Sequence, residues 1–169
     1  KKKGIEVNPE FHLLHYSLAI TSINVGDENQ GMISLQNAIL SNFEHSSSHL
    51  LLGNMYRNQG NSIPAILAYT YFLFYEQNTA RSDEVFQAIN GLFDSAERDT
   101  ASNEINITIN SLLGGSGDKE QMKGLEMVLS IHSVASKYSE DNKKLSEIEF
   151  ITGSYDYMLG LIEESQDDA

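Results

Sequence analysis

The chain has no cysteine, no tryptophan and only two prolines in its 169 residues. The missing cysteines exclude disulfides, thiolate nucleophiles and cysteine-ligated zinc. They leave the compartment open. Bases are scarce too: 11 Lys and Arg stand against 24 Asp and Glu, a net charge of −13. A surface this acidic repels phosphate backbones, so no nucleic-acid partner is expected. No run of about 18 apolar residues occurs, so no membrane span is expected in this chain. Lys1-Lys2-Lys3 is basic, but the apolar run of a signal peptide does not follow it.

What remains is enough for a folded domain. Apolar residues make up 40% of the chain and charged residues 21%, the proportions of a globular protein. The charge is unevenly placed. Residues 4–80 carry six acids and one base, Arg57, while residues 81–169 hold most of the acid excess.

The organising stretch is Ser46 to Thr79. Leu51, Leu52, Met55 and Tyr56 recur at helical spacing. Gly60-Asn61 breaks that helix, because glycine takes the left-handed conformation that closes one. Pro64 follows, in a first turn that has no intrahelical use for its N–H. Ala65, Ala68, Tyr69 and Phe72 resume a helical stripe. Helices joined by so short a turn lie antiparallel.

These residues resemble the tetratricopeptide (TPR) family, whose pattern is W-x2-L-G-x2-Y, then A-x3-F, then P. Leu52-Gly53-x2-Tyr56 fits the first part, and Ala65-x3-Tyr69 the second. His49 replaces the tryptophan, Phe72 a small residue and Gln77 the proline. Glu10 to Phe43 repeats the hairpin. Gly26 precedes Gly60 by the 34-residue TPR period, which aligns Ala19 with Gly53, Gly31 with Ala65 and Leu35 with Tyr69. Ser22 stands in place of Tyr56. The resemblance implies an all-α, right-handed superhelix of antiparallel helix hairpins with a less regular C-terminal helical pair.

The expected organisation is one TPR-like domain. Residues 1–9 read as the tail of a preceding repeat, ending in Asn8-Pro9, which makes the chain a piece of a longer array. Residues 10–45 and 46–79 form the two repeats. Residues 80–117 hold a degenerate helix and an irregular linker, and residues 118–165 a C-terminal hairpin. In the third unit Ser82-Asp83-Glu84 reads as a helix start. Val85, Phe86, Ile89, Leu92 and Phe93 form its apolar face. Asp94 stands where the turn glycine is due. Ile105, Ile107 and Ile109 alternate with polar residues, and strand and poor helix both stay open over 103–111. Gly114-Gly115-Ser116-Gly117 reads as a connector. Asp118 and Gln121 have capping-box spacing. Met122, Leu125, Val128, Leu129, His132 and Ala135 mark the inner face of the helix that follows, and Ser139 to Lys144 a polar turn. A last helix over Leu145 to Ile162 carries Ile148, Ile151, Tyr155, Leu159 and Ile162 on one stripe. Gly153 and Gly160 offer it a close approach, and an acidic tail from Glu163 frays.

The search for chemistry yields no catalytic set, no cofactor and no metal site. The glycine run lacks the phosphate-loop spacing. His45 and His49 are four apart, but His45 lies in the turn before the helix and no zincin glutamate follows, so both read as surface histidines. His12 reads as a capping or rim residue. Asp27-Glu28-Asn29-Gln30-Gly31 lacks calcium-ligand spacing. Asn106-Ile107-Thr108 is a glycosylation sequon, relevant only in a eukaryotic secretory pathway.

Stacked hairpins expose an extended concave surface. The resemblance implies a non-catalytic scaffold for a protein or peptide partner, held in that groove. The first repeat presents Tyr16, Ile20, Ile23 and Asn24 there, and the second Leu50, Asn54, Arg57 and Asn58. An exposed end of the stack also offers a homodimer contact. The alternatives are a regulatory or sensory domain whose catalytic or signalling part lies outside this chain, a structural spacer, and a small-molecule binder using Tyr69, Tyr71, Phe72, Phe74 and Tyr75.

Overall fold

The computed structural model of the protein describes residues 2–93, 96–99, 104–107, 118–138 and 146–167. The class is all-helical with one short exception. The helices are α1 (Lys2–Val7), α2 (His12–Asn24), α3 (Glu28–Ser41), α4 (Ser46–Asn58), α5 (Ser62–Tyr75), α6 (Ala80–Phe93), α7 (Asp118–Tyr138) and α8 (Glu147–Asp167). The exception is a two-stranded antiparallel ribbon, β1 (Ala96–Asp99) with β2 (Glu104–Ile107), in which Ala96 faces Ile107 and Asp99 faces Glu104. Strand is thus the outcome over 104–107, while residues 100–103, 108–117 and 139–145 lie outside the described residues.

A period of 34 runs through the helix boundaries. α2, α4 and α6 begin at residues 12, 46 and 80. α3 and α5 begin at 28 and 62 and end at 41 and 75, and α1 ends at Val7, one period before Ser41. Gly26 (φ 81°) and Gly60 (φ 75°) turn the two hairpins in the left-handed region, where a side chain is strained. The joints repeat as well. The N–H of Phe11 bonds Asn8 O at 3.3 Å, and that of His45 bonds Asn42 O at 3.3 Å.

The chain forms two compact units, Lys1–Gln59 with Pro64–Phe86, and Gly60–Ile63 with Gln87–Ala169. In the first unit, contacts set the helix directions. Gly31 near the start of α3 meets Ile23 near the end of α2. Asn42, just past α3, reaches His12 at the start of α2. α2 and α3 are therefore antiparallel. His49 early in α4 stacks on Tyr71 and Tyr75 late in α5, which gives the same result for that pair.

Apolar periodicity decides what is buried. Ala19, Leu35 and Met55 form a core across α2, α3 and α4, with Tyr16, Ile23, Met32, Leu51 and Leu52 packed around it. α5 is apolar nearly all round, and Ala65, Ile66, Ala68, Tyr69 and Phe72 are buried. The paired small and large positions compensate. Ala19 packs with Leu35 in the first hairpin, whereas Gly53 faces the larger Tyr69 in the second.

α6 keeps the period better than its sequence suggests, but its start differs from expectation. Thr79 caps it, not Ser82. The Thr79 N–H donates to Ser82 Oγ at 2.8 Å, and the Ser82 N–H returns a bond to Thr79 Oγ1 at 3.1 Å. This reciprocal arrangement satisfies two helix-start donors at once. Val85, Ile89 and Phe93 are buried, as their spacing predicts.

In the second unit, two buried polar side chains tie helices to backbone. Glu126 Oε1 accepts the Ile63 N–H at 3.1 Å, and the Ser133 hydroxyl donates to Phe93 O. The expected inner faces shift accordingly. On α7, Glu126, Leu129 and Ser133 are buried, while Val128 and Ala135 are exposed. On α8, Ile151, Ser154 and Met158 are buried, and Ile148 and Leu159 face solvent. Nothing approaches the Cβ positions of Gly153 or Gly160 within 4 Å, so no close helix contact uses them. α8 also starts two residues later than expected and continues through residues assigned to a frayed tail.

A Cβ at Gly53 would stand 2.5 Å from the ring of Tyr69, whose hydroxyl is held by Asn54. Gly53→Ala therefore overpacks the hairpin by about 1–3 kcal/mol. The helix gains about 1 kcal/mol from the same change. A net loss of up to about 2 kcal/mol is expected in urea titrations, against a gain of about 1 kcal/mol for the open Gly153→Ala.

Candidate functional site

The eight groove candidates divide by environment. Tyr16 and Ile23 are half-buried against the α2–α3–α4 core. Leu50 is half-buried, and Ile20 is 38% exposed. Asn24, Asn54, Arg57 and Asn58 are exposed. Spacing of three and four places the α4 members on one side of that helix.

Two of the eight meet at a residue the sequence reading had not placed in the site. The Tyr69 hydroxyl donates to Asn54 Oδ1 at 2.8 Å. The Arg57 guanidinium lies against the same hydroxyl. Burial pushes the Tyr69 pKa up, and Arg57 opposes that push. The phenol therefore stays protonated and orients the Asn54 amide. Asn54 Nδ2 and the Arg57 guanidinium stand side by side as donors, a pair suited to a carbonyl or carboxylate. A sequence signal existed: a tyrosine opposite a glycine buries its ring and needs a partner for its hydroxyl.

The histidines are structural, contrary to the surface reading. His49 is 3% exposed, and its Nε2–H donates to Phe43 O at 2.7 Å. His15 is also buried, and its Nε2–H donates to Pro9 O at 2.7 Å. A carbonyl only accepts, so each ring carries its proton on Nε2. Donors and acceptors both repeat after 34 residues. His45 caps α4 without a side-chain bond to its N–H groups and instead pairs Nδ1 with Ser48 Oγ at 2.8 Å. Its ring lies 4.8 Å from that of His12 and 4.9 Å from that of Tyr16. Among the described residues, no group of three or more His, Asp or Glu is placed to hold a metal ion. Asp27 caps α3 through the Gln30 N–H at 3.1 Å, which explains the acid in that turn. The Gly114–Gly117 run lies outside the described residues.

The aromatic group of α5 does not form a single box. Tyr69 and Phe72 are core, while Tyr71 is 46% and Phe74 71% exposed. Arg81 stands over the Phe72 ring and pairs with Glu76, holding that carboxyl below its usual pKa. Among the described residues, no helix is long and apolar enough to cross a membrane.

No protein-family model, curated protein or solved structure matches the chain.

His45 carries a pH prediction. Burial lowers its pKa below 6.5, and the neighbouring His12 and His49 lower it further. The unfolded chain therefore takes up the proton first, and stability is lost as pH falls through about 6.5 toward the lower folded value. The start of α4 adds to the penalty, since a helix N-terminus disfavours a cation. Urea midpoints at pH 7.5 and 5.5 are expected to differ for the natural chain and to differ less for His45→Asn.

Proposed function

We propose that the protein is a non-catalytic, TPR-like scaffold that binds a partner protein or peptide in the groove of its stacked hairpins. The 34-residue recurrence of helix bounds, turn glycines and His-to-carbonyl bonds carries this reading. Consecutive hairpins related by one fixed step stack into a curved pile with a concave side. The first helices, α2 and α4, line that side in this reading. They contribute Ile20 and Asn24 from one repeat and Leu50, Asn54, Arg57 and Asn58 from the next.

The chemistry favours an extended segment. Asn54, steadied by Tyr69, supplies an amide that pairs with a peptide backbone. Arg57 is the one base between Gly4 and Ala80, and it fixes a carboxylate or backbone carbonyl at that point. The exposed end of such a stack also offers a homodimer contact.

Arg57→Glu reverses the charge in the groove beside the Tyr69 hydroxyl, so thermal melts check that the variant keeps its fold. Affinity recovery from a cell extract, read by mass spectrometry, is expected to lose a specific partner with Arg57→Glu and Asn58→Ala and to keep it with Asp83→Asn on α6. The same partner recovered equally by all the variants would remove the groove assignment.

A further inference from the structure

We infer that an apolar cavity on the opposite side of α4 is a second docking site, taking an aromatic or branched aliphatic side chain carried on a basic segment of a partner protein. The cavity measures about 290 Å³. His49, Leu52 and Tyr56 of α4 and Pro64, Ala68 and Tyr71 of α5 line it. At 100° per residue, positions 49, 52 and 56 point about 150° away from the groove positions 50, 54, 57 and 58. The two sites are therefore physically separate.

The first hairpin serves as an internal control. One period earlier, Tyr56, Pro64, Ala68 and Tyr71 correspond to Ser22, Gln30, Ser34 and Asn37. There the Gln30 side-chain amide donates to Ser34 Oγ at 3.1 Å, and both serines are buried. The same helical frame thus accepts polar side chains at these places. Stacking does not require the apolar lining that the second hairpin has. Tyr71 and Phe43, also in the lining, remain 46% and 47% exposed, a solvent-facing apolar surface of the kind that marks recognition. The volume falls at the lower bound for ligand pockets, which suits one anchoring side chain better than a whole small molecule.

Charge selects the anchor's flanks. The lining holds no acid, Lys or Arg. Between Gly4 and Phe86 the only Lys or Arg are Arg57 and Arg81. Arg57 lies against Tyr69 on the groove side, and Arg81 is paired with Glu76. Exposed acids sit near the lining in sequence. Glu44 follows Phe43, and Glu28 accepts a bond from Gln59, three residues past Tyr56. A basic segment finds complementary charge here, and an acidic one finds repulsion.

The test pans a random-peptide phage library on the full chain, with counter-selection on Pro64→Gln/Tyr71→Asn, which carries the first hairpin's own residues. Enriched sequences are synthesised and titrated by fluorescence anisotropy. The expected sequences place an aromatic or branched aliphatic residue among Lys and Arg. They bind the double variant at least about tenfold more weakly, and the control Gly153→Ala on α8 about as well as the natural chain. Alanine at the anchor is expected to cost a similar factor. Thermal melts check the fold, and the single exposed change Tyr71→Asn decides the matter if the double variant melts early. No enrichment over the variant overturns the proposal. So do enriched peptides that are acidic or lack an apolar anchor, and so does free toluene competing as tightly as the peptide, which marks a small-molecule pocket. Binding lost with Arg57→Glu but kept by the cavity variants also overturns it, and assigns those peptides to the groove.

Discussion

A buried imidazole donating to a main-chain carbonyl fixes the link before each of the two hairpins, α2–α3 and α4–α5. His15 reaches Pro9 O and His49 reaches Phe43 O, six residues back in both cases. Each carbonyl belongs to the short link that precedes a hairpin, and each histidine belongs to that hairpin's first helix. A buried ring N–H without a partner is costly. Meeting that need with a carbonyl of the link ties the link to the helix. The aromatic shell of Phe43, Tyr71 and Tyr75 around His49 then keeps water from competing.

Side-chain bulk completes what the bond begins. Gly53 lets the Tyr69 ring lie against α4, and the Tyr69 hydroxyl emerges beside Asn54 and Arg57. Packing and the candidate groove are thus one arrangement, in which a core tyrosine orients two solvent-facing donors. The first hairpin lacks that device, because Leu35 stands in place of Tyr69. The two repeats share a backbone plan and differ in the chemistry they display.

Local features were legible in the sequence. Gly26 and Gly60 are breakers one period apart, and both adopt the positive φ that a hairpin turn requires. The apolar stripes of α2, α4 and α6 follow from spacing alone. Features with distant partners were not legible. His49 looked like a surface residue because its carbonyl and its stacking tyrosines are visible only in three dimensions. Glu126 is not among the residues whose spacing marks the inner face of α7, yet it is buried and accepts the N–H of Ile63. β1 falls within the expected irregular linker, because pairing with β2 comes from backbone bonds that side-chain patterning does not announce. In the candidate site, Arg57 stood out as a lone base, but its neighbour Tyr69 was hidden behind a role in packing.

The account rests on the His-to-carbonyl bond being present twice, at equivalent places. Long-range ¹H–¹⁵N correlation spectra of the imidazole groups, recorded at neutral pH, read this directly. The account predicts that His15 and His49 both hold their proton on Nε2 and that both protons exchange slowly with solvent. An Nε2 without a proton in either ring, or rapid exchange at only one of them, would contradict it.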